Sequence, residues 1–328
     1  MRSPLRRARE FMVLNVLSNS AANIIQRLAL SLVSSTAVTS IQVWTTLLVS
    51  LAIRLFYAAV RRRATSATAA ASAADADADS AAPLAQQAAK PVARPGELWH
   101  FAVAGLIGQV AGNYAFLAAA KAGGIGFTVA VAQTWGLWAI ILGLLVLGEK
   151  AGRRLAIGLP VALAGILLLS AQGQGISDLT TYLSSGLPWA LLASLSWAVS
   201  SVLIRRGLSR GCDQQVGLIV QFATPSAVLA VAAIGNPAPM TGLNASTVAM
   251  IAAAGILSGT LAMQFLYRAL SMCPLSQVML INASYPAVVN VLSWLFLGES
   301  LTVRGIVGIA LITAACVWTQ TEPPGADK

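Results

Sequence analysis

Leu145-Val-Leu-Gly-Glu-Lys150 returns 150 positions later as Leu295-Phe-Leu-Gly-Glu-Ser300. The echo extends beyond six residues. Ala104-Gly105-Leu106-Ile107-Gly108 matches Ala254-Gly255-Ile256-Leu257-Ser258 at the same offset, and Ala119, Val131 and Arg154 fall on Ala269, Ile281 and Arg304. Nearer the N-terminus, Leu14, Leu17, Ser18, Arg27, Leu30 and Ser31 fall on Leu192, Leu195, Ser196, Arg205, Leu208 and Ser209, at an offset of 178. The chain is one apolar unit written twice. The two offsets differ by 28, so the first copy carries 28 extra residues. Doubled membrane units of this kind commonly enclose a solute path between their halves.

Composition names the solvent. The chain is 57% apolar and 10% charged, with a mean hydropathy of +0.76. A soluble domain carries about 25% charged residues, so this chain has too little polar surface for water and the lipid bilayer is its expected surrounding. The net charge of +10 sits in short basic clusters between apolar runs, the pattern of a membrane protein anchored on its cytoplasmic side. Nucleic acid is not an expected partner, because no basic stripe is interleaved with stacking aromatics. Cys212, Cys273 and Cys316 are spaced as neither a metal site nor a redox pair and read as free thiols. The basic start, Met1 to Glu10, leads into an apolar run with no small-x-small cleavage site and reads as an uncleaved first span.

Spanning helices need about 20 mostly apolar residues. Ten stretches qualify: 10–32, 37–60, 98–119, 123–147, 153–171, 187–206, 215–235, 246–269, 274–297 and 302–319. The expected fold is therefore all-α and integral to the membrane, with ten transmembrane helices. Residues 1–60 and 98–171 hold the first copy, 184–319 the second, and 320–328 form a cytoplasmic tail. Between them, 61–97 contains Ala-Asp-Ala-Asp-Ala-Asp among Ser, Gln and Pro. This composition predicts a disordered cytoplasmic loop with fleeting helix at most. It also falls where the repeat needs its 28 extra residues.

The basic residues orient the chain. Of 21 lysines and arginines, Arg27 and Arg54 lie within spans, and only Lys121 and Arg304 fall outside when the N-terminus is inside. All others fall in inside segments, which predicts cytoplasmic termini. With five spans per copy, an odd number, the second copy must enter from the opposite face. The two copies then form inverted five-helix repeats.

Each copy closes with an apolar helix, Leu-Gly-Glu, a short basic link and a Gly/Ala-rich last helix. The residues are Gly124 to Leu169 and Pro274 to Thr319, centred on Leu147-Gly148-Glu149 with Arg153 and Arg154, and on Leu297-Gly298-Glu299 with Arg304. In this the chain resembles the drug/metabolite transporter superfamily, in its EamA-type branch. The opening helix, with Asn19-Ser20 and Arg27-Leu28-Ala29-Leu30, resembles that family's first helix, which often has lysine where Arg27 stands. The resemblance covers nearly everything except 61–97 and the tails. It implies ten helices, cytoplasmic termini, and a central path lined mainly by helices 1, 3, 4, 6, 8 and 9. It also implies transport of a small metabolite, often export, by a multi-pass protein of the plasma (inner) membrane. No cofactor or metal is expected, and a homodimer stays open.

Candidate solute contacts are the polar residues deep in these helices. Asn19 and Asn23 share a face of helix 1, and Gln109 and Asn113 a face of helix 3. Gln133, Thr134, Trp135 and Trp138 cluster on helix 4. Trp197 and Ser200 lie on helix 6, Gln264 on helix 8, and Asn282 with Tyr285 on helix 9. Amides and aromatic polar groups in lipid need partners, so they face protein or a wet cavity. Two readings compete for each: a hydrogen bond to a neighbouring helix, or a wall of the solute path. Gln133, Asn282 and Tyr285 stand at matching depths in the two copies. Pro286 pairs with Gly136 and marks either a hinge or a fixed kink. Trp44, Trp99, Trp189 and Trp318 are read as interface-belt residues, and His100 as a wet interfacial side chain. Arg27 either snorkels outward or attracts an anion, and Glu149 and Glu299 help to start the helices that follow them.

No Asp or Glu lies deep in a span, which counts against a carboxylate-coupled pump and favours facilitated movement or exchange. One histidine and no buried carboxylate leave little acid–base equipment for an enzyme. A scaffold would need 61–97 as its working part. Within the carrier class, an organelle-type nucleotide-sugar or sugar-phosphate exchanger would need several basic residues in its cavity, and only Arg27 is on offer.

Overall fold

The computed structural model describes residues 4–30, 32–74, 95–123, 128, 131–149, 153–170, 186–298 and 302–320. Among these the chain is 90% helical, with no strand. The first copy contributes α1 (Pro4–Leu30), α2 (Ser35–Ala74), α3 (99–123), α4 (Trp135–Leu147) and α5 (Arg153–Ser170). The second contributes α6 (Leu187–Ser209), α7 (Gln214–Gly235), α8 (245–272), α9 (Leu275–Asn282, then Tyr285–Leu297) and α10 (Val303–Gln320). Six stretches are long and apolar enough to cross a bilayer: Ser35–Val60, Trp99–Ala119, Leu187–Ser209, Gln214–Gly235, Ala245–Met272 and Leu275–Phe296. Trp135–Leu147, Ala156–Gly165 and Val303–Ala315 are apolar but shorter. Side chains such as Leu145, Ile234, Phe296 and Val303 stand largely exposed; a chain this apolar turns such a surface to lipid.

The 150-residue echo is visible in the backbone. A wide π-helical turn interrupts α3 at Leu106–Gly112 and α8 at Ile256–Ala262. Gly148 and Gly298 close α4 and α9 at φ of 66° and 67°. This left-handed conformation costs other L-residues a steric penalty that glycine escapes. α5 and α10 begin at matching positions and pack mainly on one another.

The copies exchange partners. α1 packs on α8 and α9 of the second copy, while α6 packs on α3 and α4 of the first; α2 meets α7 and α8, and α7 also meets α3. The π-helical turns explain part of this grip. Carbonyls at or beside these turns also accept side-chain donors from the other copy. Ser200 donates to Ala104 O (2.8 Å), Trp197 Nε1 to Gly108 O (3.0 Å) and Thr224 to Ala102 O (3.1 Å). On α8, Ser18 donates to Leu257 O (2.7 Å), Asn15 Nδ2 to Ala262 O (2.7 Å) and Thr46 to Gly255 O (3.2 Å). Thr46 and Thr224 are repeat-related at the 178 offset. Glycines at 105, 108, 112, 255 and 259 let the helices approach this closely.

Several expectations need correction. α2 continues past residue 60 to Ala74, so the start of the Ala/Asp-rich segment is helical; 75–94 lies outside the described residues. The expected helices 123–147 and 274–297 are not continuous: a turn at 133–134 precedes α4, and one at 283–284 breaks α9. Pro286 therefore sits in the first turn of a new helical segment rather than in mid-helix. His100 is 1% exposed; its Nδ1 lies 3.0 Å from Glu97 O and 3.6 Å from the Glu97 carboxylate, and its ring stacks on Trp99. Trp44 is not a belt residue, because its Nε1 donates to Ser226 O (3.2 Å) and ties α2 to α7. Trp99, Trp189 and Trp318 are exposed, as a belt position requires. Cys212 and Cys273 are free and buried. Burial raises both thiol pKa values, which the nearby arginines only partly oppose. The side chains of Arg27 and Cys316, and residue Glu299, lie outside the described residues.

Candidate functional site

The breaks in α4 and α9 share one cause. Thr134 sends both its backbone N–H (3.0 Å) and its hydroxyl (2.6 Å) to Val131 O. Ser284, 150 positions on, does the same to Ile281 O, at 3.0 and 2.7 Å. A hydroxyl that captures the i−3 carbonyl competes with the helix ladder. With the N–H committed to the same oxygen, the chain turns tightly and then restarts its helix at Trp135 and at Tyr285. Thr134 is further fixed by the Ser194 hydroxyl on α6, at 2.9 Å.

Around these turns lies a small, partly open pocket. α4 supplies Gln133, Thr134, Trp135, Gly136, Leu137 and Ile140. α9 supplies Met279, Leu280, Asn282 and Ala283, and α5 supplies Leu159, Ala162 and Leu163. The pocket wall combines two amides and an indole with an aliphatic floor, and none of the described residues that line it carries a charge.

Of the ten residues singled out from sequence, the cavity gathers Gln133, Trp135 and Asn282. Tyr285 and Asn23 meet each other instead: Asn23 Nδ2 donates to the Tyr285 hydroxyl at 2.9 Å, joining α1 to the restart of α9. Asn113 and Gln109 stand 3.5 Å apart on one face of α3, both half-buried. Trp197 does not line the cavity, because its indole N–H is committed to Gly108 O. Gln264 on α8 is half-buried, and its Nε2 has no hydrogen-bond partner. Asn19 is half-buried on α1, and neither residue touches the cavity. The cavity's walls thus come from helices 4, 5 and 9, a narrower set than the six lining helices that the family resemblance implies.

Two residues were missed and a third was misassigned. Asn15 is 1% exposed and extends the Asn19/Asn23 stripe by one more i, i+4 step; that periodicity was the available signal. Ser194 had no signal in sequence, since its role depends on where α6 meets α4. The third is Glu149. Its carboxylate does not start α5. Oε1 accepts the N–H of Leu275 (2.6 Å), and Oε2 accepts the N–H and hydroxyl of Ser276 (both 3.0 Å). It therefore caps the first turn of α9, in the other copy. Arg205 Nε lies 3.8 Å from Oε1, and Arg205 Nη1 donates to Leu270 O at the end of α8. Among the described residues, no group of three or more His, Cys, Asp and Glu side chains could hold a metal ion.

Comparison with known proteins fits this geometry. A crystal structure described only as that of a protein covers 98% of this chain and 99% of its own, with a TM-score of 0.73 and 18% identity, so the two share a fold. No curated protein matches the chain. The model of the EamA-like transporter family matches residues 80–171 and 184–321, most of both copies. The chain belongs to the EamA-like transporter family, part of the drug/metabolite transporter superfamily, whose members are transporters and not enzymes.

Proposed function

We propose that the protein carries a small, polar, uncharged or zwitterionic organic metabolite, by alternating access, through the cavity between the broken fourth and ninth helices. The observation behind this reading is the cavity itself. It forms where two repeat-related helices break, and it offers amide and indole groups on an apolar wall without a fixed charge. Gln133, Trp135 and Asn282 contact the solute first. Asn19, Asn23, Gln109, Asn113, Trp197, Gln264 and Tyr285 flank the route or set the helices that form it.

The ten helical stretches act as ten transmembrane helices in two inverted five-helix repeats, with both termini cytoplasmic in the plasma (inner) membrane. The exchanged packing of α1 and α6 supports this. So does the gathering at one end of Glu149 with Arg205, Glu97 with Arg210 and Arg54 with Asp213. All but Arg54, which lies within a span, are in segments that the basic-residue count places inside. Among the described residues no cation lines the cavity, which favours this reading over a nucleotide-sugar or sugar-phosphate exchanger, whose substrates need cationic partners. Facilitated movement or exchange, in the export direction, is the simplest mode.

A solute screen on purified protein in liposomes, with and without a pH gradient, tests it. Neutral or zwitterionic solutes should move without the gradient, and Gln133→Leu and Asn282→Leu should each slow them about tenfold, the effect of one lost hydrogen bond of about 1.4 kcal/mol. Uptake restricted to anionic phosphate esters would overturn the substrate class. Strict dependence on the gradient would overturn the facilitator mode.

A further inference from the structure

Glu149 stands one residue past the left-handed glycine that ends α4, and its N–H returns to Gly143 O (3.3 Å). That closure throws its side chain across α4 toward α9. A Cβ on Gly143 would lie 3.4 Å from Glu149 Oε2 and 3.5 Å from Leu275 Cδ2. Glu149 and Leu275 therefore fill the space between α4 and α9 beside Gly143. Ile140, one turn back along α4, lines the cavity, as does Met279, one turn on along α9. The carboxylate and the cavity thus occupy successive turns of the same gap. The carboxylate sits at the end that the charge pattern assigns to the cytoplasm.

We propose that Glu149, held by Arg205, is the closed cytoplasmic gate of the solute cavity. The inference rests on the transport reading given above. The Glu149 side chain is 9% exposed and that of Arg205 20%. A carboxylate so shielded is stable only when its oxygens are filled. Here two backbone N–H groups and one hydroxyl fill them, at a helix N-terminus whose dipole favours an anion. Arg205 adds its charge and also binds Leu270 O, so one carboxylate gathers the ends of α4, α6, α8 and α9. α4 and α9 cannot part at this end until the Glu149 bonds to Leu275 and Ser276 break. Glu149 is a positioning residue: it touches no solute, but it decides from which side the cavity is reached.

Side-specific labelling tests this. In a protein lacking native thiols (Cys212→Ala, Cys273→Ala, Cys316→Ala), Ala283→Cys reports from the cavity wall. An impermeant maleimide is applied to inside-out or right-side-out vesicles. The parent should label faster from the outer side. Glu149→Gln, which loses the charge and one acceptor oxygen, should raise cytoplasmic labelling about tenfold and lower outer labelling; Glu149→Ala should do so more strongly. Arg205→Leu leaves the cap on α9 in place and should give a smaller rise, about threefold. It carries the test if the Glu149 variants do not fold. Unchanged cytoplasmic labelling in the folded variants, with outer labelling intact, would overturn the gate and leave the cavity standing. A reporter that never labels from either side, in protein that elutes as a single folded species, would overturn the cavity as a route and the gate with it.

Discussion

Gly105→Ala tests how tightly the two copies interlock. Gly105 ends the first segment of α3, just before its π-helical turn. A Cβ there would stand 2.0 Å from the backbone oxygen of Gln221 and 2.9 Å from both Gln221 C and Thr224 Oγ1. Carbon–oxygen contact is comfortable only at about 3.4 Å or beyond, so α3 and α7 must separate by roughly 1.4 Å. The obstacle is backbone, and no rotamer change relieves it. Overpacking of this kind costs about 1–3 kcal/mol. Separation also stretches the Thr224–Ala102 bond, worth about 0.6 kcal/mol in a membrane protein. It disturbs Gln221 as well, whose Oε1 accepts the buried Tyr267 hydroxyl at 2.5 Å. Alanine returns about 1 kcal/mol of helix propensity. The net expectation is a destabilisation of about 2 kcal/mol. Gly235→Ala is the control, since a Cβ there meets nothing within 4 Å; it should be neutral or slightly stabilising. Thermal unfolding in detergent, followed by intrinsic fluorescence, should show Gly105→Ala about 5 °C below the parent and Gly235→Ala within about 1 °C of it. If both variants melted with the parent, the close α3–α7 approach, and the interlocking drawn from it, would be wrong.

Other outcomes follow from the same geometry. Trp197→Phe should leave Gly108 O without its donor, lower stability by about 0.6–1.7 kcal/mol in the same melt and leave solute selectivity unchanged; an altered solute preference would return Trp197 to the cavity. Gly148→Ala forces a side chain into the left-handed region and should cost about 1 kcal/mol of stability, while also loosening the Glu149 cap; an unchanged melt would contradict it. Because burial raises the Cys273 thiol pKa, little thiolate forms at neutral pH. Its alkylation in detergent should be slow there and rise steeply only above the ordinary thiol range, and a rate already level at pH 8 would refute that. Removing 75–94 should leave liposome transport intact, and its loss on deletion would favour an interaction role for that segment.

What could be read from sequence was whatever repeats at a fixed offset or has an extreme composition. The Leu-Gly-Glu echo located the two glycine stops, and most helical stretches lie within a few residues of their expected positions, while α2 runs 14 residues past its expected end and α4 starts only at Trp135. The turns at 133–134 and 283–284 were harder to see, because Thr134 and Ser284 sit inside apolar runs whose hydropathy shows no gap. Their alignment 150 apart, as hydroxyls each able to bond the i−3 carbonyl, was the signal available. The π-helical turns left no local trace. They persist because Ser200, Trp197, Ser18 and Asn15 reach them from the other copy, and such tertiary partners cannot be read from a window of sequence. Glu149 was misassigned for a related reason. An acidic residue just before a helix normally serves that helix, but here the left-handed turn at Gly148 redirects it to α9.

The proposed function separates helix glue from solute contact one residue at a time, by which polar atoms are already committed. Trp197, Ser200, Thr224, Ser18, Asn15 and Thr46 donate to carbonyls at or beside the two π-helical turns. In lipid such carbonyls have no water to fall back on, so these side chains are not available to a passing solute. Gln133, Trp135 and Asn282 differ in that they border open volume at the helix breaks. On the proposed function, the duplicated sequence divides its polar residues by position: those facing the third helix of the other copy hold the halves together, and Gln133, Trp135 and Asn282 beside the breaks are left for a ligand. Substitutions in the first set should shift stability for every solute alike, and substitutions in the second should change which solute is carried while the fold persists.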